Sequence, residues 1–171
     1  GYGEAGEFGN GTTPSEQKSF IKIMDNVRTM DGGENYTCLI KTDNSLWTTG
    51  WNRDGELGDG STDDFRTTFM KVMDNVKKVE TGDFFTVAIK TDNSLWATGR
   101  NTNGQFGNGT TTDATIFTKV ADNISDVAAG KSQTIILKTD NTIWSAGRNS
   151  SGELGDGTTV DRTTFVPMYI P

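Results

Sequence analysis

The sequence predicts an all-β fold built from repeated four-stranded antiparallel sheets, and three observations carry that prediction. One ten-residue segment is written three times, as KTDNSLWTTG from Lys41, KTDNSLWATG from Lys90 and KTDNTIWSAG from Lys138, at steps of 49 and 48 residues. A Gly-rich loop is interleaved with it four times: GEFGNGTT (Gly6–Thr13), GELGDGST (Gly55–Thr62), GQFGNGTT (Gly104–Thr111) and GELGDGTT (Gly152–Thr159). Between these lie short runs rich in β-branched and aromatic residues, punctuated by turn residues. No stretch keeps an apolar period of 3.6 residues over the length of a helix. A period in the high forties belongs to stacked repeats.

Each unit opens, on this reading, with the apolar stretch that follows the loop: FIKIM at Phe20, FMKVM at Phe69 and FTKVA at Phe117. An Asp-Asn turn comes next, at Asp25, Asp74 and Asp122, where Asn accepts a left-handed backbone. A second strand follows (VRTMDGG, VKKVETG, ISDVAAG), then a third (YTCLIK, FTVAIK, QTIILK). The third is apolar on both alternating faces, with Cys38, Val87 and Ile135 on one and Leu39, Ala88 and Ile136 on the other, so it is expected between two sheets. Thr-Asp-Asn then closes a hairpin to the strand carrying Trp47, Trp96 or Trp144. These rings are expected in the inter-sheet core, at about 2–3 kcal/mol each. Taken as a single segment over residues 1–171, the repeats run over about 1–49, 50–98, 99–146 and a partial 147–171, with a last strand near Thr164–Ile170.

Composition narrows the function. The 171 residues carry a formal net charge of −7, which disfavours nucleic acid and anionic membrane, since both are recognised by clustered Lys and Arg. With no histidine, the commonest general base and metal ligand are missing. The single cysteine, Cys38, leaves no internal disulfide or multi-cysteine metal site and reads as a small buried hydrophobe. No apolar run approaches membrane-spanning length, no targeting segment is visible, and no cofactor or compartment is assigned.

The segment LWTTGWNRDGELGDGST and its copies closely resemble the repeat of the regulator of chromosome condensation family, an L-W/Y-x-x-G strand followed by N-x-x-G-Q/E-L-G-x-G. The match runs from Leu46 to Gly60, from Leu95 to Gly109 and from Ile143 to Gly157, while the first loop has Gly3 where the others have Asn52, Asn101 and Asn149. The resemblance implies a β-propeller of four-stranded blades, seven in the complete ring. Three full blades and a partial one leave two open faces. A ring needs at least four blades, so closure by a second copy, or by further residues, is expected.

Within the loops, NRDGELGDGSTDD and NSSGELGDGTTVD alternate Asp, Asn and Gly in a way that invites a calcium reading. They lack the EF-hand order, and Asp59 and Asp156 alternate with Asn10 and Asn108. Gly55, Gly58 and Gly60 instead read as positive-φ positions of a compact turn. Glu56 and Glu153 give way to Gln105, which speaks against a repeated acid–base role. No metal or catalytic residue is assigned.

Positions that vary while the scaffold repeats are the candidates for a partner site. Tyr2, Trp51, Arg100 and Arg148 follow the glycine of the Trp strand; Arg53, Phe65 and Phe84 are single occurrences in turns. Tyr, Trp and Arg are the types enriched at binding hot spots. The expected function is therefore a non-enzymatic scaffold that binds a protein partner and self-associates to close its ring. The resemblance supplies two alternatives, a propeller inhibitor of a bacterial hydrolase and a guanine-nucleotide exchange factor for a small GTPase, and the aromatic residues supply a third, a carbohydrate-binding module.

Overall fold

A computed structural model spans the chain and describes all residues except 1–2, 14–16 and 169–171. Among the described residues, twelve strands form three four-stranded sheets. The first sheet contains β1 (Val27–Gly32), β2 (Tyr36–Lys41), β3 (Leu46–Trp51) and β4 (Phe65–Met73). The second contains β5 (Val76–Thr81), β6 (Phe85–Lys90), β7 (Leu95–Gly99) and β8 (Ala114–Ala121). The third contains β9 (Ile124–Ala129), β10 (Gln133–Lys138), β11 (Ile143–Gly147) and β12 (Arg162–Pro167). Neighbours pair in chain order, and every pairing is antiparallel.

The phase of the blade differs from the order read along the sequence. The stretches at Phe69 and Phe117 do not open a sheet; they close the preceding one as β4 and β8. The Gly-rich loop turns the chain back so that this stretch lies against the Trp strand, with Trp47 opposite Lys71 and Thr48 opposite Met70. The Asp-Asn pair then carries the chain to the next blade, with Asn75 at φ 61° and Asn123 at φ 60°. The last strand, β12, likewise completes the third blade, and the end of the Thr164–Ile170 stretch lies outside the described residues. The stretch at Phe20 forms no strand.

Successive blades meet through their first two strands, with β1 against β5 and β5 against β9, so the first strand is innermost and the fourth outermost. Two inter-blade cores result. Tyr36, Cys38, Ile40, Leu46 and Leu57 of the first blade meet Val76, Val79, Ala88 and Phe117 of the second. Phe85, Val87, Ile89, Leu95 and Phe106 then meet Ile124, Val127 and Ile136. Cys38 is fully buried there, and burial pushes its thiol up to about 12, so it acts as a hydrophobe.

The tryptophans are a correction. Trp47, Trp96 and Trp144 are half-buried rather than central, and Trp96 and Trp144 pack against the edges of the two cores. The hairpin holds them there. Asp43 accepts the Ser45 N–H at 2.9 Å, and the Ser45 hydroxyl accepts the Trp47 Nε1–H at 2.8 Å; the second and third blades repeat this. Lys41, Lys90 and Lys138 stack over the three rings, with Nζ 5.3, 5.0 and 3.7 Å from the centroids, so one side of each indole faces a cation instead of a neighbouring sheet.

Candidate functional site

Five of the variable residues come together on one end of the first two blades. Trp51 ends β3 and lies opposite Phe65, the first residue of β4. The Arg53 guanidinium sits 4.5 Å from the Trp51 ring and is held by Asp64 at 2.9 Å. One residue on, Asp54 crosses to the second blade. Its two carboxylate oxygens accept Nε and Nη2 of Arg100 at 3.1 and 3.0 Å. Arg100 in turn covers Phe84, with Cζ 4.3 Å from the ring. The line Phe65–Trp51–Arg53–Asp54–Arg100–Phe84 is thus continuous across an inter-blade seam. A bidentate Arg–carboxylate pair fixes both partners in one plane, so the Arg100 guanidinium is held in one orientation.

The remaining candidates fall elsewhere. Arg148 is exposed on the third blade, donating to Ser150 Oγ at 2.9 Å. Its Phe84 counterpart is Ser132, so it has no ring to cover. Tyr2 lies outside the described residues. Trp51 is half-buried like the other three tryptophans. Exposure does not distinguish it; its guanidinium neighbour and its place in the line do.

The loop beneath is rigid for reasons the repeat makes plain. Gly55, Gly58 and Gly60 sit at φ 81°, 71° and 87°. Asn52 accepts the Leu57 N–H at 3.1 Å and donates to Asp59 at 3.0 Å. Asp59 also accepts the Ser61 N–H at 2.9 Å and holds Arg66 at 2.8 Å, so its oxygens are spent on the turn. Among the described residues, no three side chains of the metal-ligating types converge.

Glu56, under the seam, was not legible from the sequence. Its side chain is fully buried. Oε2 accepts the Asp54 N–H at 2.9 Å, while Oε1 has no hydrogen-bond partner. Burial raises its carboxyl to about 7, against the pull of backbone hydrogen bonds; nearby Asp54 adds to the rise and Arg100 opposes it. Its counterpart Gln105 makes the same backbone contact at 3.0 Å without a charge. The available signal was position: a carboxylate set between Gly55 and Leu57, inside the repeated Gly-rich loop.

Known proteins share this architecture. Residues 76–105 and 124–153 match the regulator of chromosome condensation (RCC1) repeat. No curated protein matches the chain in sequence. Among solved structures, yeast RCC1 (Prp20) bound to Kap60 superposes with a TM-score of 0.76 at 20% identity, over 85% of this chain and 37% of that one. Prp20p from Saccharomyces cerevisiae, described with its binding to Gsp1p and histones, gives 0.76 at 20% identity over 85% and 39%. Human WBSCR16 gives 0.77 at 19% identity over 93% and 42%. The chain therefore spans about two fifths of the length of the structures it matches. The protein is a β-propeller segment of three four-stranded blades, with two stretches that match the regulator of chromosome condensation repeat.

Proposed function

We propose that this chain is a non-enzymatic protein-interaction scaffold whose partner surface is the line Phe65–Trp51–Arg53–Asp54–Arg100–Phe84. The observation that carries the reading is the preset Arg100–Asp54 pair, which joins two aromatic–guanidinium stacks across the seam. Rings and guanidinium groups held in fixed rotamers lose little entropy on binding. Prp20, which shares the fold, is described bound to Kap60 and binding Gsp1p and histones, which favours a protein as the partner class. The test is co-precipitation from an extract of the source cells, followed by quantitation with purified partner. Trp51→Ala is expected to weaken binding by at least tenfold. It should cost only about 1 kcal/mol of stability, from the lost cross-strand pair and cation–π contact. Equal binding by the wild type and Trp51→Ala removes this surface.

Self-association belongs to the same reading. The first blade presents Val27 and Met30, 37% and 65% exposed, where the second presents Val76 and Val79, 0% and 4% exposed. The third blade presents Ile135, Leu137 and Ile143, half-buried, where the first two bury Cys38, Ile40 and Leu46 or Val87, Ile89 and Leu95. The two faces are the two halves of a contact that the chain already makes twice, so a second copy fits both. Sedimentation at micromolar concentration is expected to show a dimer. Met30→Asp, which changes an exposed side chain, should shift it to monomer with little loss of monomer stability. A wild-type monomer refutes association.

A further inference from the structure

One buried carboxylate sits in series with the seam contact. Glu56 is fully buried, and its Oε1 meets no hydrogen-bond donor. The second blade holds its loop in place. The Thr86 hydroxyl of β6 donates to the Glu56 carbonyl at 2.7 Å. A Cβ at Gly99 would lie 3.1 Å from Glu56 Cα, so Arg100 leaves the end of β7 beside this residue. Glu56 Oε2 accepts the Asp54 N–H at 2.9 Å. Asp54 in turn holds Nε and Nη2 of Arg100 at 3.1 and 3.0 Å, and Arg100 covers Phe84.

The groups around Glu56 set one guanidinium between two carboxylates. Its own loop contributes Asp54, and the end of β7 contributes Arg100, the cation that bears on Glu56. β2 contributes Tyr36 and Cys38, which burial keeps neutral by pushing both the phenol and the thiol up. Asp31 of β1 acts on that same pair, with its Oδ2 accepting the Thr81 N–H at 2.7 Å and the Thr81 hydroxyl at 2.9 Å. β6 contributes Thr86, which is neutral. The two carboxylates differ in access to water: Asp54 is partly exposed and Glu56 is not. A charge cut off from water competes harder for a counter-ion than one that can turn to solvent.

The next seam holds the same parts without the acids. Gln105 stands for Glu56 and Asn103 for Asp54, and the Gln105 side chain accepts the Asn103 N–H at 3.0 Å. Arg148, the counterpart of Arg100, stays with its own loop: it donates to Ser150 Oγ at 2.9 Å and lies 3.9 Å from Glu153. Of the two seams, the arginine crosses the one that offers carboxylates.

We infer that Glu56 is a proton-operated switch for Arg100. With the Glu56 carboxyl protonated, Arg100 stays on Asp54 and covers Phe84. Loss of the proton leaves a buried charge on the carboxylate with the orphaned oxygen. The guanidinium is drawn inward from Asp54 to meet it, Asp54 turns to water, and Phe84 is uncovered. Burial sets this change near neutral pH, because it holds the carboxyl up to about 7. The Arg100–Phe84 half of the surface is thus assembled on the acid side and taken apart on the alkaline side. The consequence for binding rests on the partner surface proposed above; the switch does not.

Proton NMR tests the switch without a partner. The ring current of Phe84 moves the Arg100 δ protons upfield while the stack holds, and Phe84→Leu identifies the signal. In the wild type this upfield shift is expected to vanish as pH rises through about 7. In Glu56→Gln it is expected to persist, since the amide does not ionise. An upfield shift that survives at pH 8.5 in the wild type, or that vanishes equally in Glu56→Gln, overturns the switch. Partner affinity is expected to fall about tenfold from pH 6 to pH 8 in the wild type, as the competent fraction falls, and to stay level in Glu56→Gln. A switching Arg100 signal with wild-type affinity that ignores pH upholds the switch and removes this half of the surface from the partner site.

Discussion

Glu56→Gln is expected to stabilise the protein by about 2–3 kcal/mol at pH 8 and to leave it nearly unchanged at pH 4. In the folded chain the Glu56 carboxyl holds its proton up to about 7, against an ordinary value of 4.5, and a shift of one unit corresponds to about 1.4 kcal/mol. The direction follows from proton linkage. Below 4.5 the group is protonated in both folded and unfolded chains and carries no penalty. Between 4.5 and 7 only the unfolded chain ionises, so stability falls as pH rises, and above 7 the penalty is complete. The sequence contains no histidine, so no imidazole titration overlaps this window. The lowered carboxyls of Asp59 and Asp126 act in the opposite sense at more acid pH. Urea denaturation of wild type and variant from pH 4 to 8 measures the effect. A wild-type stability that does not fall between pH 5 and 8 contradicts it. Gln105 makes the same backbone contact from the same position in the next seam, so an amide fits there.

Gly99→Ala is expected to cost about 3–5 kcal/mol, which is a large part of the stability of a small domain. Gly99 has φ 98°, and a Cβ there would lie 2.5 Å from Phe84 O and 2.7 Å from Phe85 Cα. Those atoms belong to the backbone of β6 and the turn before it, so no rotamer change relieves the contact. Backbone strain and overpacking each cost about 1–3 kcal/mol. Gly157→Ala is the control, with φ 78° and no atom within 4 Å of the added Cβ; it should cost about 1 kcal/mol from the backbone alone. Thermal melts of the two variants separate the terms, and equal midpoints would show that the close approach carries no energy.

What the sequence by itself determined was the repeating unit. Strand identity, the Asp-Asn turns, the left-handed asparagines, the positive-φ glycines and the buried Cys38 are all set within a few residues, by side-chain branching and backbone sterics, and such local rules can be read from one copy and checked against the others. The variable residues Trp51, Arg53, Phe65, Phe84 and Arg100 were visible for the complementary reason, that they depart from that pattern. The tertiary structure decided everything that depends on which blade lies next. It placed the Phe69 and Phe117 stretches at the end of a blade rather than its start, because a strand pairs with whichever partner its loop returns it to. It moved the tryptophans from the core to its edge, because a Lys from the adjoining strand occupies the other side of each ring. It also made Glu56 a buried acid while its counterpart Glu153 is only half-buried: the first lies under a neighbouring blade and the second does not. Burial in a stack is a property of neighbours, and identical repeats have different neighbours at the middle and at the ends.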